Sequence, residues 1–329
     1  MNKIFVIYIF TEYFQKSGIG HYRRCSALAE LFRRKGIKTQ IILDTDADGF
    51  DDFDIETVVE SWLTKKLHKW IQRTPEAIVI DSYRADYSLY QEVVDAGIRL
   101  VCIDDFDRLN YPRAAILYNG GVGGSIYNYR DRYSKVLEGP EFILLRKPFQ
   151  EKIEKHNIPK SIKRILVSMG GSDPKNLTLR ILTVINRRFP EIQIDAIIGP
   201  AFESPDRYEK KNLPSIAFHK NLDALEIKTL MQSVDLCISA GGQTVYELGR
   251  LGIPMILIKT ADNQLGNLTG LKEMNIIENY LDPEESRFEE MLIEEIFSLF
   301  SFERRLKMSE LSFDIFSDRS QSIASAILN

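Results

Sequence analysis

The sequence lacks the features that would assign it to several common classes of protein. No apolar run approaches the ~20 residues that a membrane-spanning helix needs, and a formal net charge of −4 gives no overall basic surface for nucleic acid. The three cysteines form no C-x-x-C pair. There is no H-E-x-x-H sequence, no Cys/His cluster and no Walker lysine motif. We therefore expect a cytoplasmic protein with free thiols, with no metal site, no nucleic-acid partner and no stable membrane insertion.

The chain contains the alternating pattern of an α/β protein, and it contains that pattern twice. At 329 residues it fits two domains of roughly 150 residues each. Short runs rich in β-branched residues alternate with helical patterns from the N-terminus, and the rhythm restarts at "KRILVSMGG". Nearly continuous apolar strands separated by helices indicate parallel sheets covered on both faces. The sequence predicts two Rossmann-like, doubly wound domains.

We place the first domain at residues 1–150 and the second at 151–312, with a terminal helix at 313–329 that could cross back to the first domain. The segment Lys147–Lys163 is charged, carries two prolines and lacks an apolar period, which is typical of a linker. The start, "MNKIFVIYIF", resembles a signal peptide, but no small-residue cleavage site follows it. We expect it to form a buried first strand.

Three glycine-rich turns directly follow predicted strands. They are "SGIGH" (Ser17–His21), "MGGSDPKN" (Met169–Asn176) and "SAGGQTVYE" (Ser239–Glu247). A glycine turn that opens a helix points backbone N–H groups at an anion, and the helix dipole adds favourable charge. Glu247 lies close enough to the third turn to bind ribose hydroxyls of a nucleotide there. A simple tight turn remains the alternative at each place.

His21 stands where the first turn meets its helix, at the predicted carboxyl edge of the sheet. It could face a ligand, or it could simply be a polar residue that starts a helix. A dinucleotide fingerprint would need glycine at position 23, where Arg23 stands. Asp44, at the end of the second strand, could imitate the acid of such a site, but the spacing argues against it.

Two further stretches each allow a functional and a purely structural interpretation. Asp44–Glu56 begins like a calcium-binding loop, but Ile55 occupies the position of the bidentate acid, so we expect a solvated acidic loop. Val58–Arg73 is basic and amphipathic and carries both tryptophans. We expect a helix that covers the sheet, with a membrane-surface helix as the alternative.

Other polar side chains follow the predicted strands. Ligands of open α/β sheets bind at the carboxyl ends of the strands, so these residues are candidates for a cleft. Each could equally cap a helix or form a turn. The candidates are Asp81, Ser82, Tyr83, Asp104, Asp105, Asn119, Asp262, Asn263 and Gln264.

Six segments taken together resemble one enzyme family. They are "GIGHYRRCSALAELF", "VIDSYRAD", "CIDDFDR", "ILVSMGGSDPKNLT", "DLCISAGGQTVYELGRLGIPMILI" and "ADNQLGN". In this order, and over nearly the whole chain, they resemble the UDP-2,4-diacetamido-2,4,6-trideoxy-β-L-altropyranose hydrolases of pseudaminic acid biosynthesis. A more distant resemblance is to the glycosyltransferase that makes lipid II. Both imply the GT-B architecture, in which two Rossmann-like domains face a cleft.

The resemblance implies a reaction and a role for each site residue. A UDP-linked amino-deoxy sugar would be hydrolysed to UDP and free sugar, with inversion, by a monomer that needs no metal or cofactor. His21 would activate the water, Glu247 would hold the ribose, and backbone near Phe218 and His219 would meet the uracil. The diphosphate would contact Gly171, Ser172, Asp173, Gly242, Gln243 and Thr244, and the sugar would contact Gly20, Tyr83, Asp104, Asn263 and Gln264.

The main alternative is a UDP-sugar-dependent glycosyltransferase on the same scaffold, because replacing water by an acceptor hydroxyl changes little in the donor site. A transferase for lipid acceptors would expose an apolar patch with a basic rim, and Val58–Arg73 is the candidate for it. A sugar-nucleotide sensor without catalysis would not need His21. Tyr8–Glu12 does not reproduce the Arg and Asp that family members carry after the first strand, so another amino-deoxy sugar stays open.

Overall fold

The computed structural model describes residues 5–14, 19–46, 55–64, 67–173, 175–202, 215–317 and 320–329. The chain forms two compact units. The first comprises Met1–Arg146 together with Arg319–Asn329, and the second comprises Lys147–Asp318. Two sequence features lie largely outside the described residues: the first glycine turn before Ile19, and the acidic stretch at 47–54.

The first unit is built on a parallel sheet. Its strands are β1 (Val6–Tyr13), β2 (Lys38–Thr45), β3 (Thr57–Val59), β4 (Ala77–Asp81), β5 (Arg99–Ile103), β6 (Ile116–Asn119) and β7 (Lys135–Glu138). They are arranged in the order β3-β2-β1-β4-β5-β6-β7, and neighbouring strands run parallel. The chain reverses its direction of travel across the sheet between β1 and β4, which is where such sheets bind ligands.

The second unit repeats this arrangement with fewer described strands. They are β8 (Arg164–Ser168), β9 (Gln193–Ile198), β10 (Ile216–Lys220), β11 (Leu236–Ala240) and β12 (Met255–Ile258). Their order is β10-β9-β8-β11-β12, again parallel throughout. The reversal here falls between β8 and β11. The prediction of two doubly wound α/β domains is confirmed.

Helices connect the strands of both units. They are α1 (Gly20–Arg34), α2 (His68–Ile71), α3 (Tyr87–Asp95), α4 (Lys147–Gln150), α5 (Leu177–Arg188), α6 (Ala224–Gln232), α7 (Thr244–Leu251), α8 (Leu265–Glu273), α9 (Phe288–Ser298), α10 (Phe302–Ile315) and α11 (Ser320–Leu328). Among the helices that the structure describes, none has both the length and the apolar content needed to cross a bilayer.

Helix α1 presents one apolar face to the first sheet. Cys25, Leu28, Ala29 and Phe32 recur at helical spacing and are fully buried. Two arginines occupy the last turn, where positive charge is favoured, and Gly36 adopts φ +75° just beyond the helix. This packing fixes the direction in which the first turn of α1 points.

Helix α11 packs on α1 in the same unit. Ile323, Ala324 and Ile327 are fully buried in the core cluster that contains the apolar face of α1. The guanidinium of Arg99 donates hydrogen bonds to the carbonyls of Ile327 and Leu328, where the last turn of α11 leaves carbonyls without helical partners. The end of the chain therefore helps to hold the helix that carries His21.

The prediction of one helix over Val58–Arg73 is wrong. The segment contains the short strand β3 and the one-turn helix α2. Trp62 is 1% exposed and donates its indole N–H to the carbonyl of Thr11 at 2.8 Å, while Trp70 is 3% exposed and meets the ring of Tyr8 edge-on. Burying both indoles against β1 stabilises the fold more than a continuous helix would. The tryptophans are therefore not displayed to a membrane or a lipid acceptor.

Candidate active site

His21 lies at the carboxyl edge of the first sheet, in the first turn of α1. Gly20 begins the helix, and a Cβ atom there would meet nothing within 4 Å. The His21 side chain is buried, and its Nδ1 atom lies 2.7 Å from Oδ1 of Asp81, the last residue of β4. Since β1 and β4 are neighbours, the start of α1, the helix that follows β1, lies at the end of β4.

The carboxyl group of Asp81 is fully buried but ionised. Burial alone would raise its pKa, but Arg24 and His21 outweigh that effect and hold the pKa well below its usual range. An ionised carboxylate only accepts hydrogen bonds, so Nδ1 of His21 carries the proton in this contact. In the neutral imidazole the other nitrogen, Nε2, then has the free lone pair. This is the arrangement of a histidine prepared to take a proton from a bound molecule.

Arg24 connects Asp81 to a second carboxylate. Its Nε and Nη2 atoms donate to the two oxygens of Asp81 at 2.9 and 2.7 Å. Its Nη1 and Nη2 atoms donate to Asp105 at 2.5 and 3.0 Å. The guanidinium thus makes a two-pronged contact with each carboxylate, which is the strongest geometry for such pairs. Asp105 reaches this position because β5, which precedes it, is the neighbour of β4.

Tyr83 borders the histidine on a second side. The two ring centroids lie 4.1 Å apart at an interplanar angle of 85°, and the Tyr83 hydroxyl donates to Asp105 at 2.5 Å. The backbone N–H of Tyr83 donates to buried Glu12 at 3.2 Å, and the Ser82 hydroxyl donates to the same carboxylate. Glu12 on β1 therefore holds the loop after β4 in place.

Asp104, a predicted sugar contact, organises its own loop. Its carboxylate accepts the backbone N–H groups of Phe106 and Arg108 and the hydroxyl of Tyr129. Burial raises its pKa to about 6, against the opposing effect of these hydrogen bonds. Asp104 holds the turn that directs the neighbouring Asp105 toward Arg24.

The glycine turn after β8 is tightly packed in the second unit. Gly170 adopts φ +90°, a backbone conformation that favours glycine. A Cβ atom on Gly199, just after β9, would lie 2.4 Å from the carbonyl oxygen of Gly170 and 2.5 Å from that of Gly171. Gly199 thus lets the turn that carries Gly171 and Ser172 lie directly against the end of β9.

Asp173 is engaged within its own turn. Its two carboxylate oxygens each accept a backbone N–H at the start of α5, from Leu177 and from Thr178, both at 2.8 Å. These are the N–H groups that a phosphate on this helix would otherwise meet. Asp173 therefore already supplies the negative charge at the start of α5.

The turn after β11 leaves open space beside Gly242, although a Cβ atom on the preceding Gly241 would lie 2.7 Å from the side chain of Leu268. A Cβ atom on Gly242 would meet nothing within 4 Å, so the backbone there is accessible to a ligand. Gln243 and Thr244 follow at the start of α7, and buried Glu247 lies in its first turn. This end of α7 lies beside the reversal point of the second sheet, as expected for an anion-binding helix start.

Phe218 and His219 lie on β10, at the edge of the second sheet. Nε2 of His219 is 2.7 Å from Oδ1 of Asp195, which also accepts two hydrogen bonds from Arg164 at 2.6 and 3.0 Å. Burial would raise the pKa of Asp195, but Arg164 and His219 lower it overall. The imidazole of His219 is thus tethered to the sheet rather than free to turn.

Gln264, predicted to contact the sugar, binds its own loop. Its side-chain oxygen accepts the backbone N–H of Thr260 at 2.9 Å, and its nitrogen donates to the Thr260 hydroxyl at 2.8 Å. Asn263 precedes it in the short 3₁₀ helix Asp262–Gln264. The amide of Gln264 therefore shapes the loop between β12 and α8.

Sequence reasoning missed Arg24 and Glu12 as parts of the site. Arg24 follows His21 by three residues, so both lie on one helix face, and that spacing is the signal that could have identified it. Glu12 is the one charged residue of β1. Within the residues that the structure describes, no three His, Cys, Asp or Glu side chains form a group that could hold a metal ion.

The chain is similar to three curated proteins, although no family model matches it. It is 29% identical over 272 residues to an uncharacterized protein of Methanocaldococcus jannaschii, covering 77% of this chain and 55% of the relative. It is 26% identical to the spore coat polysaccharide biosynthesis protein SpsG of Bacillus subtilis, covering 78% of each chain. It is 24% identical to the pseudaminic acid cytidylyltransferase and UDP-2,4-diacetamido-2,4,6-trideoxy-beta-L-altropyranose hydrolase of Helicobacter pylori, covering 78% of this chain and 45% of that one. This chain therefore spans about half the length of two of these relatives.

Solved structures with the same architecture are glycosyltransferases and related proteins. MurG of Acinetobacter baumannii matches with a TM-score of 0.64 at 13% identity, covering 97% of both chains. UGT89C1 of Arabidopsis thaliana, solved with UDP-L-rhamnose, matches with a TM-score of 0.69 at 10% identity, covering 99% of this chain and 98% of that one. The chain has the GT-B fold. At this level of identity the likeness establishes the fold alone.

We predict that Asp81→Asn destabilises the first unit by about 3 kcal/mol or more, because it leaves the buried guanidinium of Arg24 without half of its negative charge. Both tryptophans of the chain, Trp62 and Trp70, belong to this unit, so urea unfolding followed by tryptophan fluorescence reports on it. The control is Asp107→Asn, which breaks the partly exposed pair with Arg132 and should cost less than about 1 kcal/mol. Equal losses of unfolding free energy in the two variants would contradict the role of Asp81 as the buried counter-charge of Arg24.

The same variant gives a pH dependence of known sign. The folded state lowers the pKa of Asp81 from 3.8, so the ionised carboxylate stabilises the fold at neutral pH. That contribution is lost as the pH falls below about 4. The unsubstituted chain should therefore lose stability more steeply than Asp81→Asn on acidification.

Proposed function

We propose that this chain is a nucleotide-sugar hydrolase that releases UDP and a free 2,4-diacetamido-2,4,6-trideoxyhexose in nonulosonic (pseudaminic) acid biosynthesis. The observation that carries the proposal is the buried pair of His21 and ionised Asp81 at the reversal point of the first sheet. It leaves Nε2 of the histidine as a proton acceptor at the position where doubly wound sheets bind ligands.

The relatives support the choice of substrate. The Helicobacter pylori relative is named for hydrolysis of a UDP-linked diacetamido-trideoxy sugar, and the Bacillus subtilis relative for biosynthesis of a spore coat polysaccharide. The solved structures with the same fold include one with UDP-L-rhamnose and one with thymidine diphosphate. Each of these names contains a sugar or a nucleoside diphosphate, and two of them contain a nucleotide-linked sugar.

In the proposed reaction His21 acts as the general base. Its Nε2 atom takes a proton from water while the water oxygen forms a bond to the anomeric carbon. Asp81 stabilises the imidazolium that results. The bond from the anomeric carbon to the diphosphate oxygen breaks, and UDP leaves with the electron pair, so the sugar inverts its configuration. Tyr83 and Gly20 lie beside the histidine and would contact the sugar.

The second unit would hold the UDP group. A leaving diphosphate gains negative charge, which backbone N–H groups and a helix start stabilise without reorganisation. The open turn after β11 and the start of α7 offer such groups, and Glu247 would bind the ribose. The donors are those of Gly171, Ser172, Gly242, Gln243 and Thr244. Phe218 and His219 on β10 would border the uracil.

A second candidate is a UDP-sugar-dependent glycosyltransferase, which the glycosyltransferase fold favours. In that case His21 would take the proton from an acceptor hydroxyl instead of water. Against it, the segment Val58–Arg73 forms no apolar acceptor helix, and its tryptophans are buried. Incubation with a panel of UDP-sugars in the absence of an acceptor separates the two. UDP release supports hydrolysis, and release only after an acceptor is added supports transfer.

We predict that His21→Asn lowers UDP release about a thousand-fold, as the loss of a general base does, while changing UDP affinity by less than about three-fold, since the proposed UDP donors belong to the second unit. Steady-state UDP release and calorimetric UDP binding measure the two effects. His68→Asn, at an exposed position of α2, is the matched control and should retain full activity. Turnover near that of the unsubstituted chain in His21→Asn would remove this residue from the mechanism.

We also predict that Gly199→Ala weakens UDP binding about ten-fold or more. Its Cβ atom would push on backbone atoms of Gly170 and Gly171, and moving their N–H groups loses charge-assisted hydrogen bonds of about 1.5–3 kcal/mol each. The matched control is Gly120→Ala in the first unit, whose Cβ atom would likewise meet a backbone atom, the carbonyl oxygen of Phe142. That variant should lose stability yet bind UDP normally. Equal UDP affinities in the two variants would show that the turn after β8 does not hold the diphosphate.

A further inference from the structure

The contacts around His21 form a ring that starts and ends at the imidazole. Nδ1 of His21 contacts Asp81, Asp81 is bound by Arg24, and Arg24 is bound by Asp105. The hydroxyl of Tyr83 donates to Asp105, and the ring of Tyr83 lies against the imidazole. We name these five residues the histidine circuit. It reaches His21 from two sides, through a hydrogen bond and through a ring contact.

The charges in the histidine circuit balance only when His21 is protonated. Burial alone would lower the pKa of Arg24, but Asp105 and Asp81 raise it overall, so the guanidinium stays charged. Two carboxylates and one guanidinium leave a net charge of −1 while the imidazole is neutral. A proton on the imidazole brings the sum to zero. In a site with little water, a change in any one of these charges therefore acts on the imidazole.

Asp105 supplies the charge that makes this balance possible. Without it, Asp81 alone would face two cations, the guanidinium of Arg24 and the imidazolium of His21. Arg24 would then oppose protonation of the histidine, although it holds Asp81 in place. Asp105 makes hydrogen bonds to two Arg24 nitrogens and offsets that positive charge.

We propose that Asp105 is a positioning residue that sets how readily His21 takes up a proton, acting through Arg24 and Tyr83. The inference rests on the proposed function in one respect, namely that His21 is the general base. Asp105 need not touch the substrate. Its side chain is 23% exposed, whereas that of Asp81 is fully buried, so water can reach the Arg24 guanidinium on the side of Asp105 more readily than on the side of Asp81.

Other titratable or charged groups also surround His21, and the test must keep them constant. They come from α1, from β1, from β4 with its following loop, and from the loop after β5. Within the described residues, the groups outside the histidine circuit are Cys25, which contacts Asp81, Glu12, which accepts the backbone N–H of Tyr83, and Asp104, next to Asp105. The informative substitution therefore removes the charge of Asp105 and keeps its shape.

The test is an NMR titration of the His21 ring in Asp105→Asn. The chain has four histidines, so the signal of His21 is the one missing from His21→Asn. We expect the ring to lose its proton at lower pH in Asp105→Asn than in the unsubstituted chain, and Asp105→Glu to restore the original behaviour. Asp105→Ser, also uncharged, should act in the same direction should the Asn variant fail to fold. A ring signal that titrates identically with and without the Asp105 charge would overturn the proposal.

Asp107→Asn is the matched control, because it removes an acid from the same loop. Asp107 pairs with Arg132 rather than Arg24, and its φ of +59° is one that asparagine tolerates. The signal of the His21 ring should not move in this variant. Movement equal to that in Asp105→Asn would mean that loop charge in general, and not the histidine circuit, acts on the ring, and would overturn the proposal.

UDP release provides a second readout. The acid side of the pH–activity profile should move to lower pH in Asp105→Asn, as expected for loss of one nearby negative charge, while KM changes less than kcat. The two claims can fail separately. A shifted ring signal in a chain that releases no UDP supports the role of Asp105 and contradicts the hydrolase. UDP release with an unmoved ring signal supports the hydrolase and overturns the role of Asp105.

Discussion

The site in the first unit depends on one fully buried carboxylate, that of Asp81. Removing a carboxylate from water costs several kcal/mol, and the structure offsets this with hydrogen bonds from Arg24 and His21. Those bonds need the end of β4 to lie beside the start of α1, which the parallel pairing of β1 with β4 provides. The same contact defines which nitrogen of His21 carries the proton. The packing of β4 beside α1, the charges of the site and the proton position on His21 therefore all depend on Asp81.

The fold was predictable because its signals are local and repeated. Apolar strands alternate with amphipathic helices, and each unit contains that rhythm, so both sheets follow from pattern alone. The prediction of one helix over Val58–Arg73 failed for a physical reason. Its apolar residues have a helical period, but Trp62 and Trp70 gain more by entering the core beside Tyr8 and Phe10 than a surface helix would give. Periodicity identifies the residues that are buried there, not the backbone that buries them.

The site was predictable only in part, since its partners come from separate elements. His21 and Tyr83 were candidates because they follow strands, and Asp81 and Asp105 shared that position. Their connection through Arg24 needs the order of β1, β4 and β5, which no single segment encodes. Asp173 and Gln264 illustrate the converse. Both look like ligand contacts in sequence, yet each satisfies a polar backbone group of its own loop, which a sequence without coordinates does not reveal.

The central claim is that His21 directs water to the anomeric carbon of a UDP-linked sugar. The most direct measurement is turnover of UDP-2,4-diacetamido-2,4,6-trideoxy-β-L-altropyranose in water labelled with oxygen-18, with no acceptor present, followed by mass spectrometry of both products. We predict one labelled oxygen in the free sugar and none in UDP. Label in UDP would place the attack at phosphorus, and absence of any turnover would contradict hydrolysis of this substrate.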